Sequence, residues 1–364
     1  MYIKEIYLKN FRNYEDSKIP FQEKINIILG KNGQGKTNLL EGIYILSMGK
    51  SFRTKKDSEM IMFSKDIFQV KGSFIKDGKD LSVEMRFSKQ EKLFKIDGIE
   101  KRKNADLLEN VYTVIFSPED LKIIQEDPDK RRKFVDRQLF QIKPLYYKDL
   151  AKYKKVIKNR NVTLKEEFVD EGLLDIWDDY LIDSGTKVMT ERKEIIEKLD
   201  SISHEIHNKI TNGKEKLRIE YESDIKKGES IEQQKSIIKD VLKENRLKDI
   251  ERRTTTKGPH TDDIRITIDG IDARKFGSQG QQRTAALALK LAELRIIKEE
   301  TGEDAILLLD DVLSELDADR QNYLINSFKN NQIFISAAEI SEKVLNKLPD
   351  GKIYNISNGK IEKN

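Results

Sequence analysis

Residues 30–37 read Gly30-Lys31-Asn32-Gly33-Gln34-Gly35-Lys36-Thr37, and no other stretch narrows the possible folds as far. The pattern is G-x-x-x-x-G-K-T. An apolar run, Ile25-Asn26-Ile27-Ile28-Leu29, enters it, and a helix-like run from Asn38 to Leu46 leaves it. Strand, glycine-rich loop and helix in that order are the setting of a phosphate-binding loop. Glycines let the backbone bend until several N–H groups point inward at phosphate oxygens. The helix start adds free N–H groups and the positive end of its dipole. In this setting Lys36 reaches the β- and γ-phosphates of a nucleotide and the Thr37 hydroxyl sits on Mg²⁺.

Such a loop needs an acidic strand beside it. Ala305-Ile306-Leu307-Leu308-Leu309-Asp310-Asp311 is an apolar run ending in two carboxylates, trailed by Ser314-Glu315-Leu316-Asp317. Asp310 would hold the Mg²⁺ shell and Asp311 would position or polarise the attacking water. Taken alone, the run is equally a strand entering an Asp-rich turn. The discriminating feature is Ser278-Gln279-Gly280-Gln281-Gln282-Arg283, a loop running into an apolar helix from Thr284 to about Ile297. Its Ser278 and Gly280, with a helix N-terminus behind them, form a second anion site. One chain does not easily fold both anion sites onto one phosphate tail. Two chains do: loop 30–37 of one copy faces loop 278–283 of the other, with ATP between them. Two-fold symmetry then makes two such sites in a homodimer.

Around these motifs the chain divides into three by composition. Residues 1–117 read as an α/β lobe: strands near Tyr2–Leu8 and Ile25–Leu29 joined by a polar loop, then an antiparallel meander. The meander runs are Phe68–Ile75, Leu81–Phe87 and Leu93–Ile96, with turns at Asp77-Gly78 and Asp97-Gly98. A short helix near Ala105–Glu109 leads into a strand, Val111–Phe116. Ser117 is placed to cap a helix with Pro118 at its first position. Residues 118–253 are Lys/Glu-rich and glycine-poor and read as a helical arm with one strand-like run, Lys216–Glu222. Leu174, Trp177, Leu181, Val188, Ile195, Leu199, Ile202 and Ile206 recur at helical intervals, in one long helix or two. Trp177 reads as a packing anchor. His204 and His207 lie one turn apart with no third ligand in view, which argues against a metal. Residues 254–364 return to α/β character, with further strands at Ile264–Ile268, Ile333–Ser336 and Ile353–Ile356.

Composition sets limits on function. Among 364 residues, 68 Lys+Arg against 64 Asp+Glu leave only +4, so a nucleic-acid site must be a local patch. The absence of cysteine excludes disulfides, thiolate zinc sites and cysteine nucleophiles. No apolar run approaches ~18 residues and no signal-peptide pattern opens the chain, so a cytoplasmic protein without a membrane partner is expected. The basic clusters open to DNA phosphates are Arg53-Thr54-Lys55-Lys56, Lys130-Arg131-Arg132-Lys133 and Lys148–Arg160; lysine-rich faces are more often simply solvated. Contacts there would be salt-sensitive and indifferent to sequence.

The motif order resembles the ATP-binding-cassette ATPases, and the insertion between the phosphate loop and loop 278–283 resembles their SMC-like branch. The insertion is too short for that branch's long coiled coil and lacks sustained heptads. Leu8–Tyr14 (L-x-N-F-R-N-Y), Ser51–Thr54 (S-F-R-T), Phe116–Asp120 (F-S-P-E-D), Gly258–Asp263 (G-P-H-x-D-D), the two loops and Asp310–Asp317 (D-D-V-L-S-E-L-D) are together similar to the RecF family of bacterial recombination and repair proteins. The resemblance spans nearly the whole chain. It implies an ABC-type ATPase head, a mixed sheet with flanking helices plus an antiparallel β lobe, carrying an inserted helical domain. It further implies an ATP-dependent dimer that binds double-stranded DNA and single-strand gaps. RecR would be its partner, and through RecO it would help load RecA onto DNA. Carried over by residue, Arg12 and Asn13 would touch nucleotide. Ser278, Gln279, Gly280 and Gln281 would act across the dimer, with Ser278 and Gly280 on the γ-phosphate. Asp317 would line the interface.

Three departures bear on chemistry. Transporter-type cassettes place Glu where Asp311 stands, a histidine after the strand where this chain has Ala337 and Ala338, and Gln near Ser117. Missing groups that orient water predict slow hydrolysis, with ATP chiefly holding the dimer together. Thr261 stands where the RecF pattern has Arg, which removes or moves a phosphate or DNA contact. The competing readings are an SMC-like or other ABC subunit with a structural role, a transport subunit, which would need the absent Glu and His, and a phosphoryl-transfer kinase, which leaves loop 278–283 unexplained.

Overall fold

The strand that feeds the phosphate loop, Ile25–Leu29, lies inside a six-stranded sheet. In spatial order that sheet runs Lys360–Ile361, Lys352–Ser357, Ile25–Leu29, Ile333–Ala337, Ile306–Asp310 and Thr113–Phe116. All pairings are parallel except that of the C-terminal hairpin. Parallel strands are covered on both faces, which is why Leu-Leu-Leu and Ile-Phe-Ile runs rather than alternating patterns build it. The computed structural model describes residues 1–362 apart from 314–315, 328–329, 341–344, 346–347 and 349–350. Ser314 and Glu315 of the trailing acidic motif therefore lie outside the described residues.

A second six-stranded sheet is wholly antiparallel: Tyr14–Pro20, Tyr2–Phe11, Ile67–Lys76, Lys79–Ser88, Lys92–Ile96 and Ile99–Lys101. The expected meander is there, but the N-terminal segment holds a hairpin rather than one strand and a loop. Phe11 pairs with Tyr14, so Arg12 and Asn13 form its two-residue turn. The helix Lys36–Met48 packs against strands of both sheets and is buried nearly all round. That matches its mainly apolar sequence from Leu39 to Met48, since a helix without a broad polar face must lie inside. These elements, with the short helices Asn104–Leu107 and Ala318–Asn326, form one compact unit, Met1–Asp120 and Lys290–Asn364.

The second unit is Leu121–Leu289. Its spine is one unbroken helix, Glu171–Ile210, of 40 residues. At 1.5 Å per residue it spans ~60 Å. Asp170 caps it, accepting from the Leu173 N–H at 3.0 Å. The helices Pro128–Ile142, Pro144–Thr163 and Ile231–Arg252 pack on it. Two buried arginines tie them. Arg160, fully buried, reaches Asp178, Asp249 and Thr255 at 2.6, 2.7 and 2.8 Å. Arg192 holds Asp136 at 2.9 Å and donates to the Pro259 carbonyl. Buried charges persist only when paired in this way.

Two boundary expectations change. The helical unit extends past residue 253 to Leu289, because Asp263–Ile268 pairs antiparallel with Leu217–Glu222 in a three-stranded sheet that also takes in Ile271–Asp272. The strand assigned to the returning α/β lobe thus belongs with the helices. Nor does Ser117 cap a helix. Its N–H and hydroxyl both donate to Asp120 Oδ2, at 2.7 and 3.3 Å, and a 3₁₀ turn, Pro118–Leu121, follows.

Candidate nucleotide site

The phosphate loop leaves the carboxyl end of Ile25–Leu29 and turns into the helix Lys36–Met48. In the same sheet Asp310 ends the strand two places away, with Ile333–Ala337 between. Strands sit about 4.8 Å apart, so the gap is ~10 Å. The first turn of the helix closes it: Thr37 Oγ1 donates to Asp310 Oδ1 at 2.8 Å. From the intervening strand, Ser336 Oγ donates to the same oxygen at 2.7 Å, and its main chain accepts from the Asp311 N–H at 3.2 Å. Asp311 takes a left-handed backbone, φ +54°, as the chain leaves the sheet. The buried Lys36 ammonium folds over the loop and donates to the carbonyls of Gly30 at 2.7 Å and Lys31 at 3.3 Å. Lys31, Asn32 and Gly33 are exposed at the loop tip.

The loop is braced from behind by the N-terminal hairpin. Asn13 Nδ2 donates to the Gln34 carbonyl at 2.9 Å, and Asn13 Oδ1 accepts from Asn38 Nδ2 at 2.9 Å. Tyr14 OH donates to the Gly35 carbonyl at 3.0 Å; burial pushes this phenol well above its ordinary pKa. Gly35 has φ +117°, and a Cβ there would lie 2.7 Å from Asn13 Nδ2, so this position requires glycine. Arg12, expected on the nucleotide, is held by a protein carboxylate. Its guanidinium clasps Glu41 through Nε at 2.8 Å and Nη2 at 2.7 Å, and Nη1 donates to the Glu59 carbonyl at 2.6 Å. Glu41 is 0% exposed, with Ser51 Oγ also on it and Arg53 Nη1 3.8 Å away. Arg53 in turn donates to Asn38 Oδ1 at 2.7 Å.

Sequence reasoning missed Glu41, Ser336 and the last hairpin. The Asn358–Gly359 turn sits on Gln34: Asn358 N–H donates to Gln34 Oε1 at 2.7 Å and Gly359 N–H to the Gln34 carbonyl at 2.9 Å. A lone glutamate inside the run Leu39–Ile43 was a legible sign of a buried pair. Nothing in Asn-Gly beyond a hairpin turn pointed to the phosphate loop.

In the other unit, Ser278 and Gln281 form a reciprocal cap at the start of the helix Gln279–Thr301. Gln281 N–H donates to Ser278 Oγ at 3.2 Å, and Ser278 N–H donates to Gln281 Oε1 at 2.9 Å. Ser278 and Gln279 face solvent, while Gln282 is buried and donates to the Ala273 carbonyl at 2.9 Å. Asp317, expected at a dimer interface, caps Ala318–Asn326 by accepting from the Arg320 N–H at 2.9 Å.

The basic clusters separate. Lys55 and Lys56 are exposed. Arg131 is 4% exposed and bidentate on Asp263 at 2.7 and 2.8 Å, which removes it from the surface open to DNA. Arg132 donates to the Asp262 carbonyl at 2.5 Å and Lys130 lies 3.5 Å from Glu126. The Gly258–Asp263 motif is a staple of the helical unit. His260 Nε2 meets the Thr255 carbonyl at 3.0 Å, so it carries the proton and Tyr153 OH donates to Nδ1 at 2.7 Å. Asp262 accepts from Tyr221 OH and from Ser223 Oγ. Thr261 turns back on the Gly258 carbonyl at 2.7 Å.

Thr37 and Asp310 supply hard oxygen donors, already in contact, of the kind Mg²⁺ takes when phosphates and water complete its shell. Among the described residues no group of three or more His, Cys, Asp or Glu is arranged to hold a metal alone, and no helix is long and apolar enough to cross a membrane.

Comparison with known proteins agrees with this geometry. The family model for the RecF/RecN/SMC N-terminal domain matches residues 2–358. The DNA replication and repair protein RecF of Clostridioides difficile strain 630 is 44% identical over 363 residues, 99% of this chain and 98% of the relative. That of Clostridium perfringens strain 13 is 42% identical over the whole of both chains. The solved structure of the recombination mediator protein RecF-ATPrS in the RecFOR pathway matches with a TM-score of 0.92 at 39% identity, covering 100% of this chain and 98% of that one. The Smc head domain from Pyrococcus furiosus, 17% identical, shares the fold at a TM-score of 0.56 over 99% of this chain and 95% of that one. The fold is therefore that of an ABC-type head without a long coiled coil, and the chain belongs to the RecF family of DNA replication and repair proteins.

Proposed function

We propose that this chain is an ATP-switched DNA clamp that dimerises around two nucleotides and serves recombinational repair. The observation that carries the reading is the contact of Thr37 with Asp310, which joins the phosphate loop to the acidic strand. With the phosphate tail in the loop, Lys36 exchanges the carbonyls of Gly30 and Lys31 for β- and γ-phosphate oxygens. Bound Mg²⁺ supplies charge neutralisation at the phosphates. Asp311 holds the attacking water, and Asn13 and Tyr14 keep the loop's carbonyls turned away from the phosphates. Arg12 acts through Glu41 on the first turns of the helix rather than as a lone cation. The Ser278–Gln281 cap has its serine hydroxyl and backbone N–H groups at an exposed helix start, which suits the γ-phosphate of a nucleotide on a second copy.

Two relatives of known structure are the recombination mediator protein RecF-ATPrS and RecF-ATP in the RecFOR pathway. We extend that context to this chain: RecR and RecO as partners, gapped and double-stranded DNA as the surface engaged, and RecA loading as the outcome. Arg53, Lys55 and Lys56 are exposed, as are Lys130, Lys133 and Lys148, and we take Lys55 and Lys56 as the first DNA contacts to test. The test is molecular mass in solution with and without ATP–Mg²⁺, using Asp311→Asn to slow turnover and Lys36→Met to remove the phosphate ligand. ATP-driven dimerisation that Lys36→Met abolishes supports the reading. A monomer with ATP demonstrably bound overturns the two-copy site.

A further inference from the structure

Glu215 lies between the long helix Glu171–Ile210 and the strand Leu217–Glu222 and meets two groups. One carboxylate oxygen accepts from Gln281 Nε2 at 3.1 Å. The other is 3.6 Å from His207 Nε2. His207 belongs to the last turn of the long helix, is 0% exposed, and has neither ring nitrogen in hydrogen-bonding geometry with a partner. Buried polar atoms are nearly always satisfied, so this exception requires a reason.

The reason lies in what Glu215 does instead. Gln281 is the residue whose side chain accepts the Ser278 N–H and whose own N–H goes to Ser278 Oγ. The amide of Gln281 is thus shared: its oxygen shapes the loop, and its nitrogen is held from outside the loop by a carboxylate. We propose that Glu215 is a positioning residue for the Ser278–Gln281 loop, fixing its geometry toward a nucleotide phosphate from the root of the long helix. Burial is the main influence on His207 and keeps it neutral; Glu215 and Asp269 pull toward the charged form, and His204 opposes it. A neutral imidazole leaves the carboxylate free for Gln281, whereas an imidazolium 3.6 Å away would claim it. The unsatisfied histidine is a closely packed neighbour that does not compete.

The inference rests on the reading that this loop closes on ATP held by a second copy, but its first test does not. Amide hydrogen exchange is measured on the full-length, nucleotide-free protein for wild type, Glu215→Ala and Glu215→Gln. Gln at 215 keeps an oxygen that accepts from Gln281; Ala does not. Exchange at residues 279–283 is expected to rise about tenfold in Glu215→Ala, the loss of one charge-assisted hydrogen bond, and to stay near wild type in Glu215→Gln. Equal exchange in Ala and wild type, or equal loss in Ala and Gln, overturns the proposal whatever the oligomeric state. The second arm titrates dimerisation with ATP–Mg²⁺. Glu215→Ala is expected to need about tenfold more ATP at half-dimerisation, with nucleotide binding to the monomer unchanged. A mutant that dimerises as wild type does overturns the functional role. If exchange responds as expected while wild type never dimerises, the positioning stands and the two-copy reading falls.

Discussion

Asn358 and Gln34 stand 324 residues apart in the chain and are joined directly, the Asn358 N–H donating to Gln34 Oε1 at 2.7 Å. The last hairpin is therefore part of the phosphate loop's support. Lys352–Ser357 runs parallel to Ile25–Leu29, one strand in from the sheet's edge, and the turn that follows folds over the back of the loop.

Gly359 makes this testable. It has φ +71°, and a Cβ there would lie 2.2 Å from the Asn13 carbonyl oxygen. Gly78 has the same φ in a meander turn with nothing within 4 Å. Both Gly→Ala changes carry the cost of a left-handed backbone, about 1 kcal/mol. Only Gly359→Ala displaces Asn13 and Gln34. Calorimetric titration with ATP is expected to show affinity about tenfold weaker for Gly359→Ala and unchanged for Gly78→Ala. Equal affinities would separate the hairpin from the site.

The Arg12–Glu41 pair predicts a stability effect. Glu41 is fully buried on a helix that lies between two sheets, and Arg12 is its bidentate partner. Glu41→Ala strands a guanidinium that is 18% exposed. Breaking such a pair from one side costs about 3 kcal/mol. The urea midpoint of the ATPase unit should fall accordingly, and Arg12→Ala should lower it too, because it leaves the buried carboxylate only Ser51 Oγ and, 3.8 Å away, Arg53. An Arg12→Ala protein of wild-type stability that had lost only ATP affinity would restore Arg12 as a direct nucleotide ligand.

Much of this was legible from residues alone, and what was not follows a pattern. Lys36, Thr37 and Asp310 converge because phosphate loops and acidic strands obey local rules: glycine spacing, an apolar run, a carboxylate at its end. Arg131 was misplaced because a four-residue basic run looks the same whether it faces solvent or, as here, Asp263 across 132 residues. The boundary at 253 failed for the same reason. Composition changes there, but Asp263–Ile268 pairs back with Leu217–Glu222, and strand pairing is not written in either strand by itself. Asn358–Gly359, by its residue types, suits a hairpin turn and says nothing of the loop it rests on.

The corrected charge map gives a paired prediction. Lys55→Glu with Lys56→Glu should weaken binding to gapped DNA and flatten its salt dependence by roughly two in log–log slope, with stability unchanged. Arg131→Ala should do the reverse, lowering the denaturation midpoint of the helical unit by breaking its pair with Asp263. Fluorescence anisotropy across a salt series, beside urea curves, distinguishes them. Loss of DNA affinity in folded Arg131→Ala would return that cluster to the DNA surface.

Acid should loosen the helical unit. Burial holds His207 and His260 below the ordinary histidine value of 6.5. Between the folded value and 6.5 the unfolded chain binds more protons, so stability rises with pH there and is complete above 6.5. Lowering the pH from 7.5 to 5.5 should therefore lower the urea midpoint. Asp262 has the opposite sign. Burial raises it above 3.8, so its burial costs stability as pH climbs from 3.8 through its folded value. His260→Gln retains a donor for Thr255 and should reduce the acid loss. An unchanged pH slope in that variant would remove His260 from the account.

Hydrolysis should be slow, and the structure bears on why. Asp311 is the candidate water-holding group, yet its backbone is tied to Ser336 by the 3.2 Å bond to the main chain and a 3.1 Å bond to Oγ. Its carboxylate is one methylene shorter than glutamate. The neighbouring strand ends at Ala337, with Ala338 next, so no imidazole follows there to orient the water or take its proton. General-base and orienting groups are worth about 10²- to 10⁴-fold in rate. Single-turnover hydrolysis is accordingly expected to be well below one event per second, and Asp311→Asn to slow it further while leaving ATP affinity intact. Asp311→Glu lengthens the reach toward the water and is expected to accelerate turnover and shorten the lifetime of the ATP-bound dimer. Rapid-quench measurement of γ-phosphate release checks all three. A wild-type rate of many per second would mean that another group supplies the base, and ATP would then drive a cycle rather than hold a clamp.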